Sequence, residues 1–193
     1  MRELRESILR QGQCVGDSIV KVDMFLNHRL DTRLMFAMGR ELADYFGKDK
    51  PDIVLTVEAS GIALALAAAH FLDDIPVVFA KKSPAANQSA DMLTAVAHSF
   101  THGNDNALRV DRRYLPAGSR VLVVDDFLAD GEASRALISI AEQAGCTLVG
   151  VGIAVEKGFQ PGGRKLREAG VNLKSLAIVT SIQDGRIQLA DDD

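Results

Sequence analysis

Apolar positions along this chain alternate between two rhythms, helical spacing and unbroken short runs. Leu34, Met35, Met38, Leu42, Tyr45 and Phe46 keep 3.6-residue spacing. That spacing predicts a helix capped by Asp31 and ended by Gly47. Ile53 to Val57 is a short β-branched run, followed by an alanine-rich helix from Gly61 to Leu72. Pro76 to Ala80, Val121 to Val124 and Thr147 to Val155 are further strand-like runs. Between the last two, Ala133, Ala136, Leu137, Ile140, Ala141 and Ala144 mark a helix that Gly145 terminates. Asp184-Gly185, set between two alternating segments, predicts a hairpin turn. Strands that are apolar throughout and separated by helices predict an α/β fold with a mostly parallel twisted sheet flanked by helices. Ser83 to Asn106 breaks the rhythm. It is polar and about twice the usual connection length, which predicts a lid, a projecting hairpin, or both.

The chain has 193 residues, long enough for one well-buried core, and a single domain is expected over 1–193. Apolar residues make up 47% and charged residues 25%, which excludes a disordered chain. The formal charge of −4 provides no basic footprint for nucleic acid. Cys14 and Cys146 lie far apart and outside any CxxC pattern, so no disulfide framework is expected. His98 and His102 are spaced i, i+4 and could hold zinc, but a solvated pair fits so polar a stretch better. Gly61 to Leu72 is about half the length a bilayer requires. Met1 to Glu6 reads as an amphipathic helix and not as a secretory signal. A cytoplasmic location with no membrane partner is the resulting expectation.

The chemistry concentrates in residues 121–134. An apolar strand runs into two adjacent carboxylates, Asp125 and Asp126, then a loop with Gly131, then a helix. Open α/β sheets build ligand sites at such strand ends, and a helix start offers unpaired N–H groups to an anion. The two acids offer acceptors to hydroxyls or to a metal-bound ligand. A sugar phosphate satisfies both halves. The GxxxxGK[ST] loop is absent, and Gly150-Val-Gly152 lies within an apolar run, so neither a P-loop nor a dinucleotide fold fits.

Val-Val-Asp-Asp-Phe-Leu-Ala-Asp-Gly-Glu-Ala, residues 123–133, resembles the phosphoribosyl pyrophosphate (PRPP) signature of the type I phosphoribosyltransferases. Lys21 to His28, Thr56 to Ile62, Pro76 to Lys82, Leu93 to Ala95, Ser99 to Thr101 and Val155 to Pro161 resemble, in order, the bacterial xanthine phosphoribosyltransferases. That resemblance implies purine salvage: xanthine and 5-phospho-α-D-ribose 1-diphosphate, with Mg2+, yield xanthosine 5′-monophosphate and diphosphate. It also implies a homodimer, a base-binding hood from about 1–35 and 158–193, and a lid at about 83–107.

The residue roles follow from the same resemblance. Ala129, Asp130, Gly131, Glu132 and Ala133 are expected to wrap the 5′-phosphate. Asp125 and Asp126 are expected to be catalytic, holding the ribose hydroxyls directly or through magnesium, with no metal held by protein alone. Ser60, Gly61, Lys81 and Lys82 are expected at the pyrophosphate, with a cis peptide near Ala59-Ser60. Val20, Asn27, Lys157 and Phe159 are expected at xanthine. The family usually has Asn and Gln where this chain has Asp130 and Glu132. The two acids are expected to face solvent, or Asp130 to handle a proton. From Ser83 to Asp91 the chain departs from the family's Thr-Leu-Thr-type run.

Two alternatives remain at this point. One is a phosphoribosyltransferase for hypoxanthine, guanine or adenine. The other is a non-catalytic regulator sensing purine or PRPP on the same fold. Residues 1–30 set Arg2, Arg5, Arg10, Lys21 and Arg29 against Glu3, Glu6, Asp17 and Asp23, which argues against a DNA-binding segment.

Overall fold

The structure, a computed structural model, describes residues 1–16, 18–83, 91–98 and 105–191, and only the backbone of 98, 105 and 106. The chain opens with α1 (Arg2–Gln11), a short ribbon of β1 (Gln13–Val15) and β2 (Ile19–Lys21), and a π-helical turn at Asp23–Asn27. The body follows: α2 (Thr32–Phe46), β3 (Ile53–Val57), α3 (Gly61–His70), β4 (Val77–Ala80) and a hairpin of β5 (Met92–His98) and β6 (Asp105–Asp111). It continues with β7 (Arg120–Leu128), α4 (Glu132–Gln143), β8 (Thr147–Lys157), α5 (Gly162–Glu168), β9 (Leu173–Gln183) and β10 (Arg186–Leu189).

Six strands form the central sheet in the order β10-β9-β8-β7-β3-β4, parallel except for the β9–β10 hairpin. The period-2 alternation of side chains divides the core into two layers. Val54, Leu122 and Val124 face α2 and α3, while Ile53, Leu55, Val57, Val121 and Val123 face α4. Both faces are therefore apolar, which is why the strands read as unbroken runs. Gly150 and Gly152 lie inside β8 and serve packing: a Cβ on Gly150 would stand 2.5 Å from the Phe46 ring, and one on Gly152 3.0 Å from Leu42.

The expected helices and strands from Asp31 onward are present, and the Asp31 side chain accepts the Leu34 amide at 3.1 Å. The Asp184-Gly185 turn joins β9 to β10 with Gln183 opposite Arg186. β7 continues four residues beyond Val124, because its pairing with β8 runs on to Leu128 opposite Glu156. Its pairing with β3 stops at Val123. Asp125 to Leu128 thus lack a β3 partner on one edge, and a crevice opens there. From β3 the chain moves outward to β4 on one side, whereas β7, β8 and β9 proceed on the other. Ligands of open α/β sheets bind at this kind of reversal, beyond the carboxyl ends of the strands.

The expected projecting hairpin is found as β5–β6, in register from Met92 opposite Asp111 to His98 opposite Asp105. Its base is fixed. Lys81 and Arg109 exchange backbone bonds of 2.9 and 3.0 Å, and the Gln143 side chain donates to the Thr94 carbonyl at 3.1 Å. Most of the Ser83 to Asp91 run, Ser99 to Thr101 and His102 lie outside the described residues.

Candidate functional site

A cleft of about 250 Å³ occupies the crevice between β3 and β7. β3 and the turn after it contribute Val57, Glu58 and Ser60, and Lys82 enters just past β4. β7 and its loop contribute Asp125 through Ser134, and Ala97 and Leu108 of the hairpin form a further wall. Of the residues expected from sequence, Asp125, Asp126, Ala129, Asp130, Gly131, Glu132, Ala133, Ser60 and Lys82 come together here. Ala97 and Leu108 carried no signal of their own, and Glu58, Phe127 and Ser134 entered only as members of the segments singled out. Their nearness follows from chain geometry that a single sequence does not display.

Asp125 and Asp126 are 5% and 8% exposed, inside β7 and not beyond its end. The Asp126 amide donates to Asp125 Oδ1 at 2.9 Å. Burial, and then the Asp126 charge beside it, push the Asp125 carboxyl well above the usual carboxylate range, against the opposing pull of the Asp126 backbone N–H and, after it, of Lys82. Burial thus disfavours the charged form of Asp125. A cationic or hydroxyl-bearing ligand restores the partners that burial removed.

The turn after β3 has a cis peptide at Glu58–Ala59, one bond earlier than the sequence suggested. Glu58 Oε1 accepts the Lys82 amide at 2.6 Å, joining this turn to the end of β4. Gly61 opens α3 directly against Asp125. Lys81 is the edge partner of Arg109 and stands outside the cleft lining.

Gly131 adopts a left-handed φ of 83° and caps α4, so the loop 129–133 leads directly into the helix start. Both acids of this loop are among the residues that line the cleft. Glu132 has a charge partner. Its side chain is 13% exposed and ion-paired with Arg135 one helical turn on, so its negative charge is compensated in place. Asp130 lies close enough to Lys157 to hold that lysine's proton more firmly, while burial, the larger influence, pushes Lys157 down from its ordinary value.

The residues expected at xanthine are not among those lining this cleft, and of them Lys157 stands near its Asp130 and Phe127. Lys157 ends β8 and donates to the Ser18 carbonyl at 3.1 Å, with its ammonium 5.8 Å from the Phe127 ring centre. Val20 is buried next along β2. Asn27 is exposed at the end of the π-helical turn, and Phe159, 37% exposed in the turn after β8, is not a core residue. Asp125 and Asp126 present hard oxygen donors of the kind magnesium takes, together with substrate phosphates and water. Among the described residues no group of three or more His, Cys, Asp or Glu side chains is gathered closely enough to hold an ion.

A strand-borne acid pair, a loop at a helix start and a switch-point cleft form the kind of site that open α/β sheets offer to phosphorylated ligands. A phosphoribosyl transferase domain model matches residues 26–184, and the chain belongs to the phosphoribosyltransferase family. Among curated relatives, "Xanthine phosphoribosyltransferase 1" of Clostridium perfringens is 44% identical over 97% of this chain and 98% of its own. The xanthine phosphoribosyltransferase of Heliobacterium modesticaldum is 47% identical over 98% of this chain and 100% of its own. The adenine phosphoribosyltransferase of Rhodothermus marinus superposes with a TM-score of 0.74 at 22% identity, covering 93% of this chain and 100% of that one. That of Giardia lamblia, complexed with 9-deazaadenine, gives 0.76 at 19% identity over 91% and 96%. The structural likenesses define the fold; the sequence relatives bear on the base.

Proposed function

We propose that this protein converts xanthine and 5-phospho-α-D-ribose 1-diphosphate to xanthosine 5′-monophosphate and diphosphate. One observation supports this above the others: the acid pair, the Ala129–Ala133 loop, Ser60 and Lys82 meet in a single cleft, in a chain 44–48% identical to several xanthine phosphoribosyltransferases. In this reading the loop amides and the start of α4 bind the 5′-phosphate. Asp125 and Asp126 bind the ribose diol. Ser60, Gly61 and Lys82 receive the diphosphate, and Lys81 adds positive charge from outside the lining. The hairpin wall, with Ala97 and Leu108, keeps water from the sugar.

The bond from C1′ to the diphosphate oxygen breaks, and its electron pair leaves with the diphosphate. An unprotonated nitrogen of the purine's imidazole ring gives its lone pair to C1′, and the ring's N–H proton passes to solvent. Positive charge grows on the ribose between the two steps, and the buried acid pair beside it stabilises that charge. Asp125 and Asp126 would share magnesium with the sugar's oxygens. When bound, the ion offsets the charge of the departing diphosphate.

Lys157 donates to a xanthine carbonyl, and Asn27 meets the 2-oxo edge, a contact hypoxanthine cannot make. Val20 packs on the ring and Phe159 covers it, within a hood built from the two ends of the chain. We also propose a homodimer, by likeness to the family, and a cytoplasmic setting. No described helix is long and apolar enough to cross a membrane, and the two cysteines are free thiols.

Incubation with the sugar diphosphate, magnesium and each purine in turn tests the reading. Xanthosine 5′-monophosphate is the expected product, with kcat/KM for xanthine at least about tenfold above the other bases, the discrimination one lost polar contact gives. Faster turnover of hypoxanthine, guanine or adenine would reassign the base, and no turnover at all would sink the transfer reaction.

A further inference from the structure

Against the loop 129–131, among residues that do not line the cleft, lies a second construction that the roles above leave unused. Leu128 and Glu156 are opposite partners across β7 and β8. The phosphate loop therefore leaves β7 at the level where Lys157 leaves β8. The start of α5 wedges between the two exits. The Gly162 amide donates to the Ala129 carbonyl at 3.0 Å. A Cβ on Gly162 would stand 2.6 Å from the Gly131 nitrogen and 2.8 Å from the Asp130 carbonyl carbon, and would also collide with the Ala129 carbonyl oxygen. Real Cβ atoms do not approach backbone so closely, so any side chain at 162 must push the loop.

The wedge is itself anchored. Glu156 is 3% exposed, and its two oxygens accept Arg167 Nη1 and Nη2 at 2.7 Å each. Ser175 Oγ donates to the same carboxylate at 2.5 Å. Burial raises the Glu156 pKa, but the Arg167 and Ser175 hydrogen bonds outweigh it and leave the group below its ordinary value. Gly163 has no room for a Cβ because the Glu156 carboxylate fills that space. A bidentate pair with a third donor fixes orientation as well as distance. Strand β8, helix α5 and strand β9 are thereby locked at one point beneath the loop.

We infer that Gly162 is a positioning residue for the 5′-phosphate loop, held in place by the Glu156–Arg167–Ser175 anchor. It touches no substrate. It sets the height of Ala129 to Gly131, and so the distance from the phosphate amides to Asp125 and Asp126. The inference rests on the reading of that loop as the phosphate site.

Gly162→Ala, Gly170→Ala and wild type, compared by calorimetric titration with the magnesium-loaded sugar diphosphate, by steady-state kinetics and by Tm, test it. Gly170 ends the same helix at φ 76° with nothing near its Cβ, so Gly170→Ala strains α5 without touching the loop. Gly162→Ala is expected to weaken binding of the sugar diphosphate by about ten- to a hundredfold, the range a misplacement near 1 Å produces. Its KM for xanthine should stay within about twofold of wild type. Gly170→Ala should lower Tm and leave both constants in place. Unchanged sugar affinity in Gly162→Ala, or the same loss in Gly170→Ala, overturns the inference while leaving the reaction intact. A wild-type protein that binds no sugar diphosphate overturns both. Should Gly162→Ala not fold, Ser175→Ala removes one of the three bonds to Glu156. A sugar KM raised about threefold with xanthine KM constant then supports the inference, the loss expected for one hydrogen bond acting at a remove, and an unmoved sugar KM overturns it.

Discussion

The carboxylate of Asp125 lies 2.8 Å from the point where a Cβ on Gly61 would stand, and Thr56 Oγ1 crowds the same point. Helix α3 can therefore begin against the acid pair only because residue 61 lacks a side chain. Thr56 is fully buried, and its hydroxyl has no hydrogen-bond partner among the described residues, so the shift falls on Asp125, which borders the cleft. Gly61→Ala is expected to cost about 1–3 kcal/mol of stability, the usual penalty for overfilling a packed site. Because the displaced group is Asp125, kcat should fall by about a hundredfold in the protein that does fold. Thermal unfolding with single-turnover kinetics checks both, and an active, stable alanine variant would show that the contact is slack.

The buried acid pair has a thermodynamic cost in the empty protein. Asp125 is raised above its unfolded value, so the stability associated with it is complete below the unfolded pKa and declines as pH rises through the folded one. Asp125→Asn keeps the shape and removes the ionisation. In magnesium-free buffer its Tm should match wild type in acid and exceed it by about 2–5 °C at pH 8. Turnover should fall by about two to four orders of magnitude, as when an electrostatic stabiliser is removed. Differential scanning at several pH values decides the matter: a Tm difference that does not change with pH would mean Asp125 is ionised in the empty cleft.

Much of this was legible in the residues. The apolar runs and their glycine stops marked the sheet and helices from Asp31 onward, because strands buried on both faces and helices buried on one leave distinct periods. The acid pair and Gly131 marked one wall of the cleft, since their chemistry is local. What is not local stayed hidden. β7 extends past the acids because β8 continues to pair with it, and Glu132 lines the cleft because Arg135 neutralises it. The short β1–β2 ribbon and the π-helical turn have little periodicity to read, and the closeness of Gly162 to Ala129 joins residues 33 positions apart.

Lys157 and Phe127 make a separate test of the base side. The Lys157 ammonium is half-buried, fixed by the Ser18 carbonyl and set over the Phe127 ring. If it donates to a xanthine carbonyl, Lys157→Met leaves that oxygen unsatisfied in a buried slot. Loss of a charged hydrogen bond there corresponds to about a tenfold to hundredfold rise in xanthine KM. The KM for the sugar diphosphate should move little. Equal changes in both constants would place Lys157 in the frame of the cleft and not at the base.

The pairing of Glu132 with Arg135 accounts for an acid in the loop proposed to bind the 5′-phosphate. The two side chains meet within the first turn of α4, so the loop presents a neutral pair to the incoming anion. Removing the cation should expose the acid. In Arg135→Ala an uncompensated carboxylate faces a phosphate dianion, and the KM for the sugar diphosphate should rise by about tenfold, the effect of roughly one like-charge contact across partly screened solvent. Glu132→Gln frees the guanidinium and should lower that KM by about two- to threefold. The double variant should return close to wild type, since neither uncompensated charge remains. The coupling is the measurement that matters: if the two changes add independently, Glu132 and Arg135 act on the phosphate separately, and the loop tolerates its acid by orientation alone.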